Sequence, residues 1–285
     1  MHSKLRMIAT AIALLLAATA CSSRSGDTAG SPTNAPSAAV QPPAALAKSG
    51  TITYCSSLAN PPREYKVNGQ PTGSDVELGA ALAKQMGLSV KWVQSSFDGL
   101  IPGLLGKQCD MIVEELFIKP EREAVVKMIP YSTSAEQTVV RKGNPEHISD
   151  SASLSGKQVG VTTGTGYQAH MLQFNKELEA QGKQPAHLVT FPTTADMYNQ
   201  LNSGTVNVAG GTVSSAVYYA GTTNGNLELA GDAFGAVPDG LALRKTDTEL
   251  YTAVTEALKT LMSNGTYASI FRNYKLQAEM LPPGK

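Results

Sequence analysis

The stretch CDMIVEELFIKPER, residues 109–122, joins a short apolar run to a cluster of charged side chains. The apolar run has the composition of a buried strand, and Glu114 and Glu115 stand at its carboxyl end. Burying a carboxylate is costly unless the charge is paired. Two acids at the end of a buried strand therefore indicate a site that uses their charge.

Strands alternate with helices on both sides of this stretch. The strand TITYC precedes a helix that we predict over residues 75–86, opened by a capping box of Ser74 and Glu77. The alternation predicts an α/β fold built on a largely parallel sheet. Ligands of such sheets bind beyond the carboxyl ends of the strands, which is where Glu114 and Glu115 stand.

The composition excludes several classes of function. The 285 residues suit one large domain or two of ordinary size, and 23 basic residues balance 23 acidic ones, so there is no net basic field to hold nucleic acid. The four histidines fit neither a metal-ligand nor a nucleophile spacing, and the sequence has no G-x-S-x-G motif. We therefore expect no metal and no nucleic-acid partner.

A glycine-rich turn, GTGYQA at residues 164–169, follows a predicted strand and opens a helix. It fits the dinucleotide pattern G-x-G-x-x-A, but no acid follows at the required distance of about 20 residues, so we expect no cofactor. The free N–H groups at the start of such a helix attract anions, including carboxylates. The turn is therefore a candidate for binding an acidic ligand.

Residues 1–21 have the order of a lipoprotein signal peptide. Lys4 and Arg6 supply positive charge, an apolar run too short to span a bilayer follows, and small residues lead to ATAC, which ends at Cys21. This ending resembles a bacterial lipobox, in which the cysteine is lipidated and becomes the new N-terminus. The alternative is an ordinary signal peptide in which the cysteine occurs by chance.

Residues 22–48 are rich in Ser, Ala, Pro, Gly and Thr and contain almost no large apolar side chain. Such a segment cannot bury a core, which predicts a disordered tether. A tether suits a folded module that is held near a membrane. No later segment is long and apolar enough to span a bilayer.

The cysteine count agrees with export. If Cys21 carries lipid, the two cysteines that remain are Cys55 and Cys109. An exported chain enters an oxidising space, where an even pair of cysteines is expected to form a disulfide. The alternative is a pair of buried thiols.

A series of motifs covers nearly all of residues 50–274: PPREY, GSDVELGAALAKQMG, SFDGLIPGL, KQCDMIV, KPER, VVRKGN, LSGKQVGVTTGTG, LNSGTVNVA and NGTYASIFRNY. In this order they resemble the family 3 solute-binding proteins, the extracytoplasmic receptors of polar amino-acid ABC importers. The resemblance implies a periplasmic-binding-protein type II fold, in which two α/β lobes close on a ligand cleft at a hinge. It places lobe 1 at residues 49–136 and 246–285, and lobe 2 at residues 137–245.

The resemblance also assigns ligand-binding residues. The family's arginine in the position of Arg122 grips the ligand's carboxylate, and a planar guanidinium pairs well with such a group. An aromatic residue in the position of Phe97 packs on the ligand. Thr165 and Gly166 lie where the family's second lobe offers backbone N–H groups to the same carboxylate. The alternatives are a surface arginine at a helix end and a phenylalanine of the core.

The chain departs from the family's pattern at several of these positions. The family commonly has Ser or Thr where this chain has Phe117 and Lys119. The acid that usually holds the ligand's ammonium group becomes Thr212, an early acid of lobe 1 becomes Ser57, and an aromatic residue becomes Asn60. The usual partners of the ammonium group are therefore missing.

Glu115 replaces a small residue of the family close to where the ammonium group lies. We expect Glu115 to supply the missing negative charge, with Phe117 as an apolar or cation–π wall. Because successive residues of a strand face opposite ways, only one of Glu114 and Glu115 is expected to enter the cleft. The alternative is that both acids are solvated or paired with Lys119 and Arg122.

The sequence therefore predicts a monomeric receptor, anchored by lipid on the extracytoplasmic face of the cell membrane. It would capture a small carboxylate-bearing solute, an amino acid or a similar and possibly cationic molecule, and present it to an ABC permease with its ATPase. We expect no enzymatic activity. Two alternatives stay open, an enzyme on the same fold that resembles cyclohexadienyl dehydratase and a sensor module without transport.

We predict that Cys21→Ala releases the protein into the medium or leaves it unprocessed, because the lipid-bearing residue is lost. Fractionation of cells that express the wild type and the variant, followed by immunoblotting, measures the outcome. A variant that stays on the membrane after washing without detergent would contradict the lipid assignment.

Overall fold

The computed structural model describes residues 38–281, which form an α/β fold. The strands are β1 (Thr51–Ser56), β2 (Tyr65–Val67), β3 (Gln70–Thr72), β4 (Ser89–Gln94), β5 (Met111–Ile112), β6 (Val126–Arg141), β7 (Gln158–Thr162), β8 (His187–Phe191), β9 (Val208–Thr212) and β10 (Leu227–Arg244). The α-helices are α1 (Ser74–Gln85), α2 (Leu100–Leu105), α3 (Pro120–Glu123), α4 (Gly166–Ala180), α5 (Thr194–Ser203), α6 (Val213–Thr222), α7 (Thr248–Ser263) and α8 (Thr266–Asn273). Among the described residues, no helix combines the length and the apolar character needed to cross a membrane.

One eight-stranded sheet runs through the fold in the order β4-β1-β5-β10-β6-β9-β7-β8. Strands β4, β1 and β5 are parallel to one another, and so are β9, β7 and β8. The long strands β6 and β10 pair antiparallel with each other and connect the two parallel groups. The chain therefore passes twice between two α/β lobes, which is the topology that the resemblance implies.

Each lobe has apolar clusters of its own. In the first lobe, Leu241 and Leu243 pack in the cluster formed with α1, α7 and α8, while Cys55 and Ala242 pack with α2. Neighbouring residues of a strand face opposite sides, so helices cover both faces of this sheet. The end of β10 thus packs with lobe 1, which favours a second crossover before Leu241, earlier than the predicted limit at residue 245.

Helix α1 begins at Ser74, and the predicted capping box does not form. The N-cap is Gly73 at φ 120°, and no side chain caps the helix. The Ser74 hydroxyl instead lies 3.3 Å from a carboxylate oxygen of Asp75. A side chain on Gly73 would overlap the backbone of Arg63. The loop that contains Arg63 packs closely on the start of the helix. This packing, rather than a local side-chain cap, therefore fixes where α1 begins.

Part of the predicted tether is ordered against lobe 1. Val40 is buried in the cluster that includes α1, and its N–H donates to the carbonyl of Gln85 over 3.0 Å. The Ala47 N–H also donates to Asp110 over 3.0 Å, and Leu46 packs against the same cluster. The prediction of disorder is therefore wrong for residues 38–48, where apolar packing and backbone hydrogen bonds together dock the segment. Residues 22–37, and the signal peptide with Cys21, lie outside the described residues.

The predicted disulfide between Cys55 and Cys109 is confirmed. Cys55 lies in β1, and Cys109 precedes β5, which pairs with β1. The two Cα atoms are 5.6 Å apart, and both side chains are buried next to α2. The bond therefore ties together the two strands whose carboxyl ends carry Ser57 and Glu114.

We predict that Cys55→Ser combined with Cys109→Ser lowers the free energy of unfolding by about 4 kcal/mol, because the loop of 54 residues is no longer closed in the unfolded chain. Urea denaturation of the exported protein measures this. Wild-type protein treated with reductant is the control and should approach the double variant. Detection of two free thiols in unreduced protein would contradict the bond.

Candidate functional site

A cavity of about 460 Å³ lies between the two lobes, at the carboxyl ends of β1, β5, β7 and β9. This is the edge of the sheet at which the sequence places a ligand site. All nine residues predicted to bind the ligand line the cavity: Ser57, Asn60, Phe97, Glu115, Phe117, Arg122, Thr165, Gly166 and Thr212. Their contacts with a ligand remain a prediction.

Arg122 is the third of the four residues of the short helix α3 and reaches across to the second lobe. Its Nη1 donates to the carbonyl of Phe117 over 2.8 Å, and its Nη2 donates to the carbonyl of Gly164 over 3.2 Å. The guanidinium carbon lies 5.5 Å from the centroid of the Phe97 ring. No acid forms an ion pair with Arg122 within residues 38–281. Burial lowers the pKa of Arg122, but an arginine stays protonated at neutral pH.

Both Glu114 and Glu115 line the cavity, so the prediction that only one of them enters it is wrong. Strand β5 ends at Ile112, and the alternation of strand side chains does not extend to the two acids. The alternative of two solvated acids, or of pairs with Lys119 and Arg122, is excluded as well. The two glutamates are 1% and 3% exposed, and their partners are other residues.

Glu114 is held by the first lobe. Its carboxylate accepts hydrogen bonds from the Ser56 hydroxyl at 2.9 Å, from the Ser57 N–H at 2.8 Å and from the Ser57 hydroxyl at 2.6 Å. Burial nevertheless raises the pKa of Glu114 to about 7. Ser57, which stands where the family has an acid, therefore binds the acid that lies next to the cavity.

Glu115 connects the two lobes. Its carboxylate accepts hydrogen bonds from the Asn60 amide of lobe 1 at 2.9 Å, from the Thr212 hydroxyl at 2.7 Å and from the Ser214 hydroxyl at 2.9 Å. Arg63 Nη2 lies 3.6 Å from its other oxygen. The neutral side chains of Asn60 and Thr212 therefore hold a carboxylate that belongs to a different segment of the chain.

Arg63 lies beneath this wall of the cavity and is fully buried. Besides Glu115, it pairs with Asp75 at 3.3 Å, with Asp239 at 3.5 Å and with Glu279. Burial raises the pKa of Glu279 to about 7, and burial together with the charge of Glu115 raises the pKa of Asp239. A single guanidinium thus pairs with four acids, two of which, Asp239 and Glu279, have raised pKa values.

Glu136 is a cavity residue that the sequence reasoning missed. It belongs to β6, is 1% exposed and pairs in register with Thr212 of β9. Burial, followed by the charge of Glu115, raises the pKa of Glu136 to about 8. The signal was available, because Glu136 is the one acid in the sequence of β6. A lone acid in a long strand is a candidate for a buried functional group.

The glycine-rich turn contributes the second lobe's side of the cavity. Thr165 caps α4, because its hydroxyl accepts the N–H of Gln168 at 3.3 Å, and Gly166 is the first residue of the helix. A side chain on Gly166 would overlap Glu136 and the ring of Phe117. The turn therefore brings a helix start close to Arg122, as expected for a carboxylate site.

The cavity thus combines one arginine and a helix start with three buried carboxyl groups. Such a set suits a small molecule that carries both a carboxylate and a hydrogen-bond donor or cationic group. Within residues 38–281 no cluster of His, Cys, Asp and Glu has the arrangement of a metal site.

We predict that Arg63→Met lowers the free energy of unfolding by about 3–5 kcal/mol, because the buried carboxylates around it lose their counter-charge. Urea denaturation measures the change. The control is Arg272→Met, which alters an exposed arginine and should shift stability by no more than about 0.5 kcal/mol. An Arg63→Met protein as stable as the control would show that the surrounding acids are neutral in the folded state.

Comparison with known proteins agrees with this geometry. Residues 52–277 match the profile of the bacterial extracellular solute-binding proteins, family 3. The L-cystine-binding protein TcyJ of Escherichia coli (strain K12) is 29% identical over 223 residues, which cover 78% of this chain and 81% of the relative.

Two solved structures are similar throughout the folded part. An ancestral arginine-binding protein bound to glutamine matches with a TM-score of 0.74 and 29% identity, over 80% of this chain and 99% of that chain. The ancestral amino acid-binding protein AncCDT-1, a precursor of cyclohexadienyl dehydratase, matches with a TM-score of 0.72 and 30% identity, over 79% and 95% of the chains. These matches confirm the two-lobed type II fold, and the chain belongs to the bacterial extracellular solute-binding proteins, family 3.

Proposed function

We propose that this solute-binding protein captures a small amino acid or a similar molecule and presents it to the permease of an ABC importer. The observation that carries the proposal is the buried cavity in which Arg122 and Glu115, groups of opposite charge, line the same space. Its volume of about 460 Å³ is in the range of small-molecule sites.

The carboxylate end of the solute is assigned to Arg122. A guanidinium has five N–H donors in a planar fork, and two backbone carbonyls use only part of this capacity. Thr165 and Gly166, at the start of α4, line the same cavity, where a helix start favours a carboxylate. Phe97 would pack against both the guanidinium and the solute.

The cationic end of the solute is assigned to Glu115. Its carboxylate carries the negative charge that the family usually places near Thr212, and Asn60 and Thr212 hold that carboxylate by donating hydrogen bonds to it. Phe117, which is 3% exposed, supplies an apolar wall. The relatives support this class of ligand, since the names of those compared refer to cystine, arginine and glutamine.

The membrane assignments rest on the sequence. We propose a monomer that is lipidated at Cys21, held on the extracytoplasmic face and served by a permease with its own ATPase. Membership of an extracellular solute-binding family supports export. A sensor module without transport would bind the same solute, so uptake of labelled solute by cells with and without the gene distinguishes the two.

An enzymatic reaction is a second candidate, favoured by one observation. Glu114 and Glu136 have pKa values raised to about 7 and about 8 in the cavity, a range that suits general acid–base chemistry near neutral pH. The structural match to a precursor of cyclohexadienyl dehydratase points the same way. Incubation with a cyclohexadienyl acid, followed by mass spectrometry for the loss of water, tests it.

The binding proposal is tested by a thermal-shift screen of amino acids, amines, opines and betaines. A solute at 100 times its dissociation constant stabilises the folded protein by about 2.7 kcal/mol. Failure of every amino-acid-like compound to raise the melting temperature would contradict the proposed ligand class.

We predict that Arg122→Ala weakens the affinity for a carboxylate-bearing solute by about 2–5 kcal/mol, which is a factor of tens to thousands, because a buried charge pair is lost. Isothermal titration calorimetry measures the affinity, and thermal melting checks the fold. Arg272→Ala, at an exposed position, is the matched control. An affinity within about twofold of the wild type would remove Arg122 from the site.

We predict that Glu115→Gln lowers the affinity for a cationic solute by about 1.5–3 kcal/mol, because the shape is kept and the charge is lost. Glu114→Gln should have a much smaller effect, since Ser56 and Ser57 already hold that carboxyl group. Titration calorimetry on both variants measures the difference. The opposite order would assign the role to Glu114, and no effect from either change would favour an anionic or neutral solute.

A further inference from the structure

The side chain of Glu136 lines the cavity without a partner. It is 1% exposed, and neither a hydrogen bond nor an ion pair to its carboxyl group is present within residues 38–281. Glu115 and Glu114, by contrast, each accept several hydrogen bonds. The carboxyl oxygens of Glu136 are not sealed inside the protein but reach the cavity, so a ligand group in the cavity can contact them.

The surroundings of Glu136 attract an anion. Its Oε1 lies against Gly166, the first residue of the 15-residue helix α4, whose N-terminal end carries partial positive charge. The Arg122 guanidinium lines the same cavity and interacts electrostatically with Glu136. Glu136 therefore lies at the end of the cavity to which the proposed function assigns the carboxylate of the solute.

An ionised Glu136 and the carboxylate of the solute would repel each other at this end of the cavity, so ionising both of them is costly. Glu136 holds its proton at neutral pH, because burial and then the charge of Glu115 raise its pKa to about 8. A protonated carboxyl group has one O–H donor. That donor matches the remaining lone pairs of a carboxylate bound by Arg122.

We propose that Glu136 is a specificity-determining residue, whose protonated carboxyl group donates a hydrogen bond to the solute carboxylate that Arg122 holds. The inference rests on the proposed function and adds a condition to it, namely that the solute is bound while Glu136 keeps its proton. The charged and titratable groups around Glu136 are Glu115, Lys119, Arg122, Tyr167 and Tyr198.

Because the solute binds while Glu136 keeps its proton, the affinity for the solute should depend on pH. A bound carboxylate raises the pKa of Glu136 further, because the second negative charge disfavours ionisation. Above a pH of about 8, the ligand-free protein loses the proton and must regain it from water on binding. The dissociation constant should therefore rise by up to about tenfold per pH unit in this range.

The test compares the wild type with Glu136→Gln, whose neutral amide also donates a hydrogen bond but does not titrate. The probes are L-arginine and L-glutamine, and calorimetry gives their dissociation constants between about pH 6.5 and about pH 9.5, a range that brackets the raised pKa. The variant should bind within about threefold of the wild type near neutral pH. For each probe, the ratio of the wild-type dissociation constant to that of the variant should then rise by about tenfold between pH 7 and pH 9. Other titrations, including those of the probes, cancel in this ratio.

Two further measurements keep the result interpretable. Glu123→Gln, the same change at an exposed position of α3, should leave the pH profile unchanged. On the wild type alone, the binding enthalpy in two buffers of different ionisation enthalpy should reveal net proton uptake near pH 8. This second measurement does not depend on the folding of any variant.

Several outcomes would overturn the inference. A Glu136→Gln protein that binds more than tenfold more weakly near neutral pH, together with proton release by the wild type, would mean that Glu136 pairs as a carboxylate with a cation. A ratio that does not change with pH would remove Glu136 from the carboxylate site while the proposed function stands. If neither the two probes nor any other amino-acid-like compound of the thermal-shift screen binds the wild type, the proposed ligand class fails, and the role of Glu136 fails with it.

Discussion

The guanidinium of Arg63 holds together parts of the chain that are far apart in sequence. It is fully buried and pairs with carboxylates from the start of α1, from the cavity loop after β5, from β10 and from the C-terminal turn that contains Glu279. Its carbon also lies 5.3 Å from the ring centroid of Phe271 in α8. A buried guanidinium can serve several carboxylates because its donors spread in a planar fork. The cavity wall and the C-terminal end of lobe 1 therefore depend on the same positive charge.

The cluster of Arg63 and its carboxylate partners explains how acidic side chains can line the cavity. Arg63 lies behind Glu115, so the charge of that carboxylate is compensated from inside the protein, and Asn60, Thr212 and Ser214 complete its hydrogen bonds. Glu114 forms no ion pair among the described residues, and its burial raises its pKa to about 7. Neutral side chains from both lobes thus hold the carboxylate of Glu115.

Contacts between the lobes use the same groups as the proposed site. Glu115 of lobe 1 binds the hydroxyls of Thr212 and Ser214, and Arg122 donates to the carbonyl of Gly164 in the second lobe. A solute that binds Glu115 and Arg122 would change the interactions that join the lobes. Its affinity and the equilibrium between lobe arrangements are therefore linked, since a ligand shifts a conformational equilibrium by its difference in affinity for the two states.

Much of the fold could be predicted from the sequence, and so could most of the cavity wall. The alternation of strands and helices follows from local periodicity. The pairing of Cys55 with Cys109 follows from the even count of cysteines that remain in an exported chain, and the candidate ligand residues follow from the ordered similarity of the motifs. The same similarity placed nine residues on the cavity wall, although their contacts with a solute remain a prediction.

The tertiary structure alone decided four other features: the docking of Val40, the Gly73 start of α1, the Arg63 cluster and the burial of Glu136. Each depends on contacts between segments that are distant in sequence, and burial, which sets the protonation of a carboxyl group, arises only when those segments pack. The sequence by itself thus determined the architecture and nine of the residues that face the cavity. Only the tertiary structure decided which acids are buried there and which partners hold them.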